Sequence, residues 1–94
     1  MEFDLDQPRA AYLIIADTIE AEIHAGRLRP GQRVPSAREI ATEAGVGMRT
    51  AEAALRLLRE KGLTVAVVGK ATYVAASRSA AQESEQKENG PDGD

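Results

Sequence analysis

Apolar residues recur at intervals of three and four in the first patterned stretch of this chain. Between residues 12 and 23 these positions are Tyr12, Ile15, Ala16, Ile19 and Ile23. This spacing places them on one face of an α-helix, with acidic residues among the intervening positions. Pro8 suits the first turn of a helix, and Gly26 suits the left-handed residue that follows one. The pattern predicts a first helix from about residue 8 to about residue 25.

Two further helix patterns follow, separated by a glycine. Ser36 and Glu39 have the spacing of a capping box, in which each side chain pairs with the backbone N–H of the other residue. A second helix is therefore predicted over residues 37–44, and Gly45 provides the positive φ that a sharp turn requires. A third helix is predicted over residues 48–61. Its inward-facing positions are Ala51, Ala54, Leu55 and Leu58.

The last patterned segment is apolar and β-branched, which favours strands. Residues 63–68 and 72–75 have the composition of two strands, and residues 69–71 that of the turn between them. A two-stranded hairpin is too small to be stable alone, so it must pack on the helices. The predicted fold is a winged helix-turn-helix, mainly α, with three helices and a two-stranded wing.

The two ends of the chain differ in composition from its middle. Residues 1–7 are acidic, and residues 77–94 are polar and acidic without a large apolar side chain. A polar segment such as the C-terminal one buries too little apolar surface to offset the entropy lost on ordering. The sequence therefore predicts a flexible N-terminus over residues 1–7, one folded domain over residues 8–76 and a disordered tail over residues 77–94.

Charge and composition narrow the function. The net charge is −3, but residues 7–78 hold eleven Lys and Arg against seven Asp and Glu, a net charge of +4. A basic domain with acidic ends is compatible with binding to nucleic acid. With no cysteine, one histidine and no glycine-rich phosphate loop, neither an enzyme nor a bound cofactor or metal is predicted. No signal peptide or membrane segment is expected, which favours a cytoplasmic protein.

A specific set of short motifs runs from residue 26 to residue 74. These motifs are Gly26-Arg27-Leu28, Pro30-Gly31, Val34-Pro35-Ser36, Arg38-Glu39, Gly45-Val46, Gly62-Leu63, Gly69-Lys70 and Thr72-Tyr73-Val74. Together they resemble the DNA-binding domain of the GntR family of bacterial transcription regulators, over about residues 9–75. The resemblance implies a sequence-specific DNA-binding regulator, expected to be a repressor. It also implies that the third helix enters the major groove and that the wing, about residues 68–72, lies at the minor groove.

The resemblance also implies roles for individual residues. In the family, the arginine at the place of Arg38 contacts DNA near the start of the second helix. The start of the third helix reads bases, which carries over to Thr50. The wing tip enters the minor groove, which carries over to Gly69, Lys70 and Thr72.

The third helix departs from the family pattern, which usually has Ser-Arg-Thr-Thr-Val-Arg where this chain has Gly-Met-Arg-Thr-Ala-Glu over residues 47–52. Met48 replaces a base-reading arginine and could meet a thymine methyl group or pack beneath the wing. Arg49 carries a cation one position further along. Glu52 replaces another arginine and could accept from cytosine N4 or repel phosphates. Arg56 could face DNA or be an ordinary solvated charge, and Ala71 replaces the second wing glycine.

The candidate DNA-binding residues are therefore Arg38, Met48, Arg49, Thr50, Glu52, Arg56, Gly69, Lys70 and Thr72. The sequence leaves open whether Arg27, Arg29 and Arg33, in the loop before the second helix, touch phosphate or are ordinary surface charges.

The expected partner is double-stranded DNA with an inverted repeat, bound at the bacterial nucleoid by a weak or DNA-induced homodimer. Larger family members carry an effector-binding domain, and no small-molecule effector is expected for this chain. Met48, Glu52 and the acidic ends also suit an alternative, a winged-helix module that binds another protein and has lost or weakened DNA binding.

Overall fold

The computed structural model describes residues 1–76. In this part of the chain the elements are α1 (Ala11–His24), β1 (Arg33–Val34), α2 (Ala37–Ala44), α3 (Met48–Glu60), β2 (Thr64–Val67) and β3 (Ala71–Val74). Both α1 and α2 pack against α3, and β2 follows α3 into a small sheet. The predicted winged helix-turn-helix is confirmed. The predicted disordered tail, residues 77–94, lies outside the described residues. No helix within residues 1–76 combines the length and apolar composition needed to cross a bilayer.

The start of α1 differs from the prediction. The helix begins at Ala11, and Ala10 precedes it with extended backbone (φ −61°, ψ 138°) and no side-chain cap. The prediction that Pro8 lies in the first turn is therefore wrong. Arg9, in the segment before the helix, forms an ion pair with Asp17 of α1, with 2.7 Å between Nη1 and Oδ2.

The buried face of α1 is also slightly rotated from the prediction. Ile15 and Ile19 are fully buried as expected, but Tyr12 is 38% exposed and Ile14 is buried in its place. The helix ends at His24, and Gly26 adopts the predicted left-handed conformation with a φ of 83°.

The helix-turn-helix follows the sequence signals closely. The Ser36 Oγ accepts from the Glu39 N–H at 3.1 Å, and the Glu39 Oε1 accepts from the Ser36 N–H at 2.8 Å, so the capping box is present. Gly45 closes α2 with a φ of 70°. Gly62, with a φ of 78°, follows Lys61 at the end of α3. Local chemistry was therefore sufficient to predict both ends of α2.

The sheet has three strands in the order β1-β3-β2, so the predicted two-stranded hairpin was incomplete. Arg33 pairs with Tyr73, and Val34 pairs with Thr72. A strand of two residues is too short to show a period-2 pattern, which is why the sequence indicated only a loop here. The hairpin turn falls at residues 68–70, one residue earlier than predicted, because β3 already begins at Ala71.

One hydrophobic core joins the helices to the inner face of the sheet. Its residues are Ile14, Ile15, Ala16, Ile19, Val34, Ile40, Ala51, Ala54, Leu55, Leu58, Leu63 and Val74. All four predicted inward positions of α3 are among them. Phe3 and Leu5 pack against this core from the N-terminal segment, which has no helix or strand. The flexibility of residues 1–7 stays a prediction, and these two contacts weigh against it.

Candidate nucleic-acid interface

Arg38 lies in the first turn of α2, directly before the capping residue Glu39, and its side chain is exposed. Within residues 1–76 it makes no ion pair and no side-chain hydrogen bond. The N-terminus of a helix carries a partial positive charge, so a cation is electrostatically unfavourable there. Neither the helix nor a partner within the described residues compensates this charge, which agrees with the prediction that Arg38 faces DNA.

The first turn of α3 also carries an exposed arginine without an acidic partner among the described residues. Met48 is its first residue and is 45% exposed, Arg49 follows and is exposed, and Thr50 is half-buried. The preceding residue, Gly47, provides no side-chain cap. The start of α3 thus presents a cation and a flexible apolar side chain to solvent without any acidic residue in the turn.

Three charged residues continue along the exposed side of α3. Arg49, Glu52 and Arg56 are spaced by three and four residues, so they share one helical face opposite the buried alanines and leucines. This spacing permits ion pairs, yet none forms among the three. The face therefore offers two uncompensated guanidinium groups and one carboxylate between them.

The wing places its predicted residues in two different environments. Gly69 has a φ of 79°, and the turn is closed by a 3.0 Å hydrogen bond from the Lys70 N–H to the Val67 carbonyl. Lys70 is exposed in this turn. Thr72 lies in the central strand, opposite Val34 and Ala66, and is half-buried.

The Lys and Arg residues of the described chain divide into two groups. The paired set has acidic partners: Arg9 with Asp17 at 2.7 Å, Arg27 with Glu22 at 2.9 Å, Arg33 with Glu39 at 2.9 Å and Lys61 with Glu20 at 2.7 Å. Residues without an ion pair in the same region include four predicted DNA-binding cations, which we call the unpaired set: Arg38, Arg49, Arg56 and Lys70. Arg29 and Arg59 also lack one. All four cations predicted to face DNA thus remain available to an external anion.

The Arg33–Glu39 pair lies next to Arg38 and is the most extensively bonded of these contacts. Hydrogen bonds from Arg33 and from the Ser36 backbone hold the pKa of Glu39 at about 2, well below its usual value. The same contact raises the pKa of Arg33. In this structure Arg33 is bound to Glu39, so of the three arginines in the loop it is paired along with Arg27, and Arg29 is not; whether any of them touches phosphate stays open.

Sequence reasoning missed Val68. This side chain is 97% exposed in the hairpin turn, next to Gly69. The residues before it form an uninterrupted apolar run, so Val68 was included in the strand. Val68 is therefore a large apolar side chain left in solvent two residues before Lys70, at the tip of the wing.

Comparison with known proteins identifies the family. The model described as "Bacterial regulatory proteins, gntR family" matches residues 11–74. The chain belongs to the GntR family. The match covers all six elements of the fold and therefore includes both helices of the helix-turn-helix and the wing.

Several curated relatives of this GntR-family chain are named as repressors. The histidine utilization repressor of Klebsiella aerogenes is 38% identical over 73 residues, which is 73% of this chain and 30% of that protein. The mannosyl-D-glycerate transport/metabolism system repressor MngR of Escherichia coli is 39% identical over 67 residues, 71% of this chain and 28% of that protein. The chain thus spans less than a third of the length of these two relatives.

Solved structures with the same fold include a domain bound to its operator. YtrA from Sulfolobus acidocaldarius, a GntR-family transcription factor, is 39% identical with a TM-score of 0.69, covering 82% of this chain and 65% of that one. The DNA-binding domain of AraR in complex with operator ORE1 is 31% identical with a TM-score of 0.66, covering 68% of this chain and 78% of that one. The fold of residues 1–76 is therefore that of GntR DNA-binding domains.

Proposed function

We propose that this chain is a sequence-specific DNA-binding transcription regulator that acts as a repressor. The observation that carries the proposal is the unpaired set. Four exposed cations predicted to face DNA all lack an acidic partner in residues 1–76, whereas four of the six other cations there have one. Phosphate contacts by Lys and Arg provide most of the sequence-independent affinity for DNA. The repressor names of the relatives support the direction of regulation.

In this proposal α3 enters the major groove and its first turn meets the bases. Arg49 and Thr50 are the principal readers, since a guanidinium group can donate two hydrogen bonds to guanine. Met48 offers an apolar contact for a thymine methyl group. Glu52 lies between two arginines and favours sites where it meets cytosine N4 rather than phosphate. The resulting base preference differs from that of family members with arginine at the positions of Met48 and Glu52.

The other elements hold the backbone on either side of α3. Arg38 reaches a phosphate from the start of α2, where the backbone N–H groups of the helix also favour an anion. Lys70, carried by the turn at Gly69, reaches the minor groove, and Thr72 contacts the adjoining backbone. Arg56 adds a phosphate contact further along α3.

The operator that this arrangement suits is an inverted repeat bound by two copies of the chain, since symmetric half-sites mirror a symmetric pair of domains. The pair is expected to form on DNA or to be weak without it. The protein is then expected in the bacterial cytoplasm, at the nucleoid. That this chain takes no small-molecule effector stays a prediction.

The first experiment is fluorescence anisotropy of a labelled random-sequence duplex at two salt concentrations, followed by in-vitro site selection. We expect binding that weakens with salt and that site selection converges on an inverted repeat. Arg38→Ala and Arg49→Ala should each weaken binding by roughly tenfold or more, because charge-assisted contacts are among the stronger hydrogen bonds. Arg27→Ala removes the same charge from the paired set and should change binding much less. Equal losses in all three variants would contradict the proposal.

One observation favours a second function. Met48 is 45% exposed at the start of α3, and Glu52 lies on the exposed side of the same helix. An apolar side chain next to a carboxylate also suits a protein partner. If the chain binds no duplex even at low salt, and a partner complex survives Arg38→Ala and Arg49→Ala, then the winged helix is a protein-interaction module.

A further inference from the structure

Arg33 and Glu39 form a clamp of three hydrogen bonds. The Arg33 Nη2 donates to Glu39 Oε2 at 2.9 Å and to Oε1 at 3.1 Å, and Nη1 donates to Oε1 at 3.2 Å. Oε1 also accepts from the Ser36 N–H at 2.8 Å. The carboxylate is therefore held by the capping box before the arginine binds it, which lowers the entropy lost when the ion pair forms.

The clamp joins α2, which carries Arg38, to β1, which pairs with the wing strand β3. Glu39 directly follows Arg38 in the first turn of α2. Arg33 is in β1 and pairs with Tyr73 of β3, and the neighbouring residue Thr72 continues into the wing. Only two residues, Pro35 and Ser36, separate β1 from α2 in the chain. The ion pair therefore bridges this short connection, between the start of α2 and the sheet from which the wing projects.

We propose that Arg33 is a positioning residue for DNA binding. Its ion pair with Glu39 fixes the first turn of α2 relative to the β1–β3 ladder, so that Arg38 and Lys70 are held at the separation that the DNA backbone requires. Arg33 itself makes no phosphate contact in the bound state. This inference rests on the proposed DNA-binding function and deepens it, because it assigns a role to a residue beside the recognition residues.

The chemistry of the clamp fits this role better than a role in stability. An exposed ion pair changes an equilibrium constant by only about two- to fivefold, so the fold does not depend on it. Positioning, by contrast, acts on every DNA complex, since contacts that are not preorganised must be ordered on binding. A pKa of about 2 for Glu39 also means that the carboxylate is charged across the physiological pH range, so the clamp is not a pH switch there.

The test compares Glu39→Gln with Arg33→Gln and with the double variant. Glutamine at the position of Glu39 retains the capping box, so this variant removes the charge of the clamp and leaves the helix cap. We expect both single variants to weaken duplex binding by about two- to fivefold, the coupling that such an exposed pair supports. The double variant should be no weaker than either single one. Arg38→Gln is the matched control. The slope of log K against log salt is negative, and this variant should reduce its magnitude by about 0.9, the value for one phosphate contact.

Two readouts separate positioning from direct contact. If Arg33 acts only by positioning, Arg33→Gln leaves the slope of log K against log salt unchanged. A slope whose magnitude falls as it does in Arg38→Gln would overturn the proposal. Glu39→Gln provides an opposite-sign test, because removing a carboxylate near DNA should strengthen binding if the clamp has no positioning role. Stronger binding by Glu39→Gln therefore also overturns the proposal.

A third readout does not depend on DNA. Residual dipolar couplings of backbone amides report the orientation of α2 relative to β3 in the free protein. We expect the couplings of α2 to change in both clamp variants while those of α3 remain the same. Unchanged couplings of α2 would overturn the positioning role. If the unmodified chain binds no duplex, the proposed function fails, and the couplings alone decide whether the clamp orients α2.

Discussion

The two long helices of this domain carry their charges in opposite ways. On α1, three carboxylates are each bound to a cation from another part of the chain: Asp17 to Arg9, Glu22 to Arg27 and Glu20 to Lys61. On α3, the exposed residues Arg49, Glu52 and Arg56 form no ion pairs among themselves or with other described residues. The carboxylates of α1 are thus neutralised by nearby cations, whereas these three charged residues of α3 have no partner among the described residues.

The difference indicates what each helix is for. The Lys61–Glu20 contact joins residues that are 41 positions apart and ties the end of α3 to α1, so it belongs to the architecture. An exposed ion pair adds little stability, but it does remove a charge from competition for external anions. The helix that packs and braces has its charges compensated, and the helix predicted to meet DNA does not.

The largest effect is expected from breaking the core that both helices share. Leu58 is fully buried on α3, which packs against α1. Leu58→Ala should lower the free energy of unfolding by about 2–5 kcal/mol, because it removes buried methyl groups and leaves a cavity. A domain of this size is only marginally stable, so much of it should unfold at 37 °C. Urea unfolding followed by circular dichroism measures the loss, and a change below about 1 kcal/mol would show that the site collapses around the alanine.

Removing one carboxylate from each helix tests whether the charged surfaces of α1 and α3 differ in function. Glu52→Gln should strengthen binding to a random duplex at low salt by roughly threefold to tenfold, since it removes a negative charge from the predicted DNA-facing side. Glu22→Gln is the control, because it makes the same charge change on α1 and should change affinity much less. Anisotropy titrations of both variants provide the measurement. Equal effects would mean that only net charge matters and that the two helices do not differ in function.

A stabilising change outside the charged surfaces of α1 and α3 separates effects on the fold from effects on DNA binding. Thr64 is 2% exposed, and its Oγ1 has no hydrogen-bond partner within the described residues. A buried hydroxyl without a partner is costly, and valine has nearly the same shape. Thr64→Val should therefore raise the free energy of unfolding by about 1 kcal/mol, measured by urea unfolding. Duplex affinity should stay the same, and a destabilised variant would mean that the hydroxyl makes a contact, for example through water.

The smallest expected effect is a pH dependence of stability from Glu39. Its pKa is lowered from its ordinary value of 4.5 to about 2, but the group is exposed and screened by solvent, so the effect on stability is small. A depressed carboxyl pKa stabilises the folded state above the unfolded pKa, and this contribution is lost as pH falls from about 4.5 towards 2. The melting temperature of the unmodified chain should therefore fall more over that interval than the melting temperature of Glu39→Gln. Parallel curves for the two proteins would contradict the assigned pKa.

Most of the helical architecture could be predicted from local signals. The capping box at Ser36 and the left-handed glycine at Gly45 define α2, and the apolar spacing of α3 gave its buried face correctly. The start of α1 was misplaced because proline permits a first turn without requiring one, and no capping side chain marks Ala10. The roles of the candidate DNA-binding residues stay predictions, although the exposure and lack of ion pairs of Arg38 and Arg49 agree with them.

The sequence by itself determined the fold class and the family motifs, because helix periodicity, caps and turns depend on residues close together in the chain. The resemblance to the family then implied which residues face DNA. Only the tertiary structure decided that Arg33 and Val34 form a third strand, that Val68 lies in the wing turn, and which arginines are neutralised. These outcomes depend on groups that meet only after the chain has packed, such as Arg33 opposite Tyr73 or Lys61 beside Glu20. A strand of two residues or a single ion pair leaves no periodic trace in the sequence, since its partner is chosen by the geometry of the folded core.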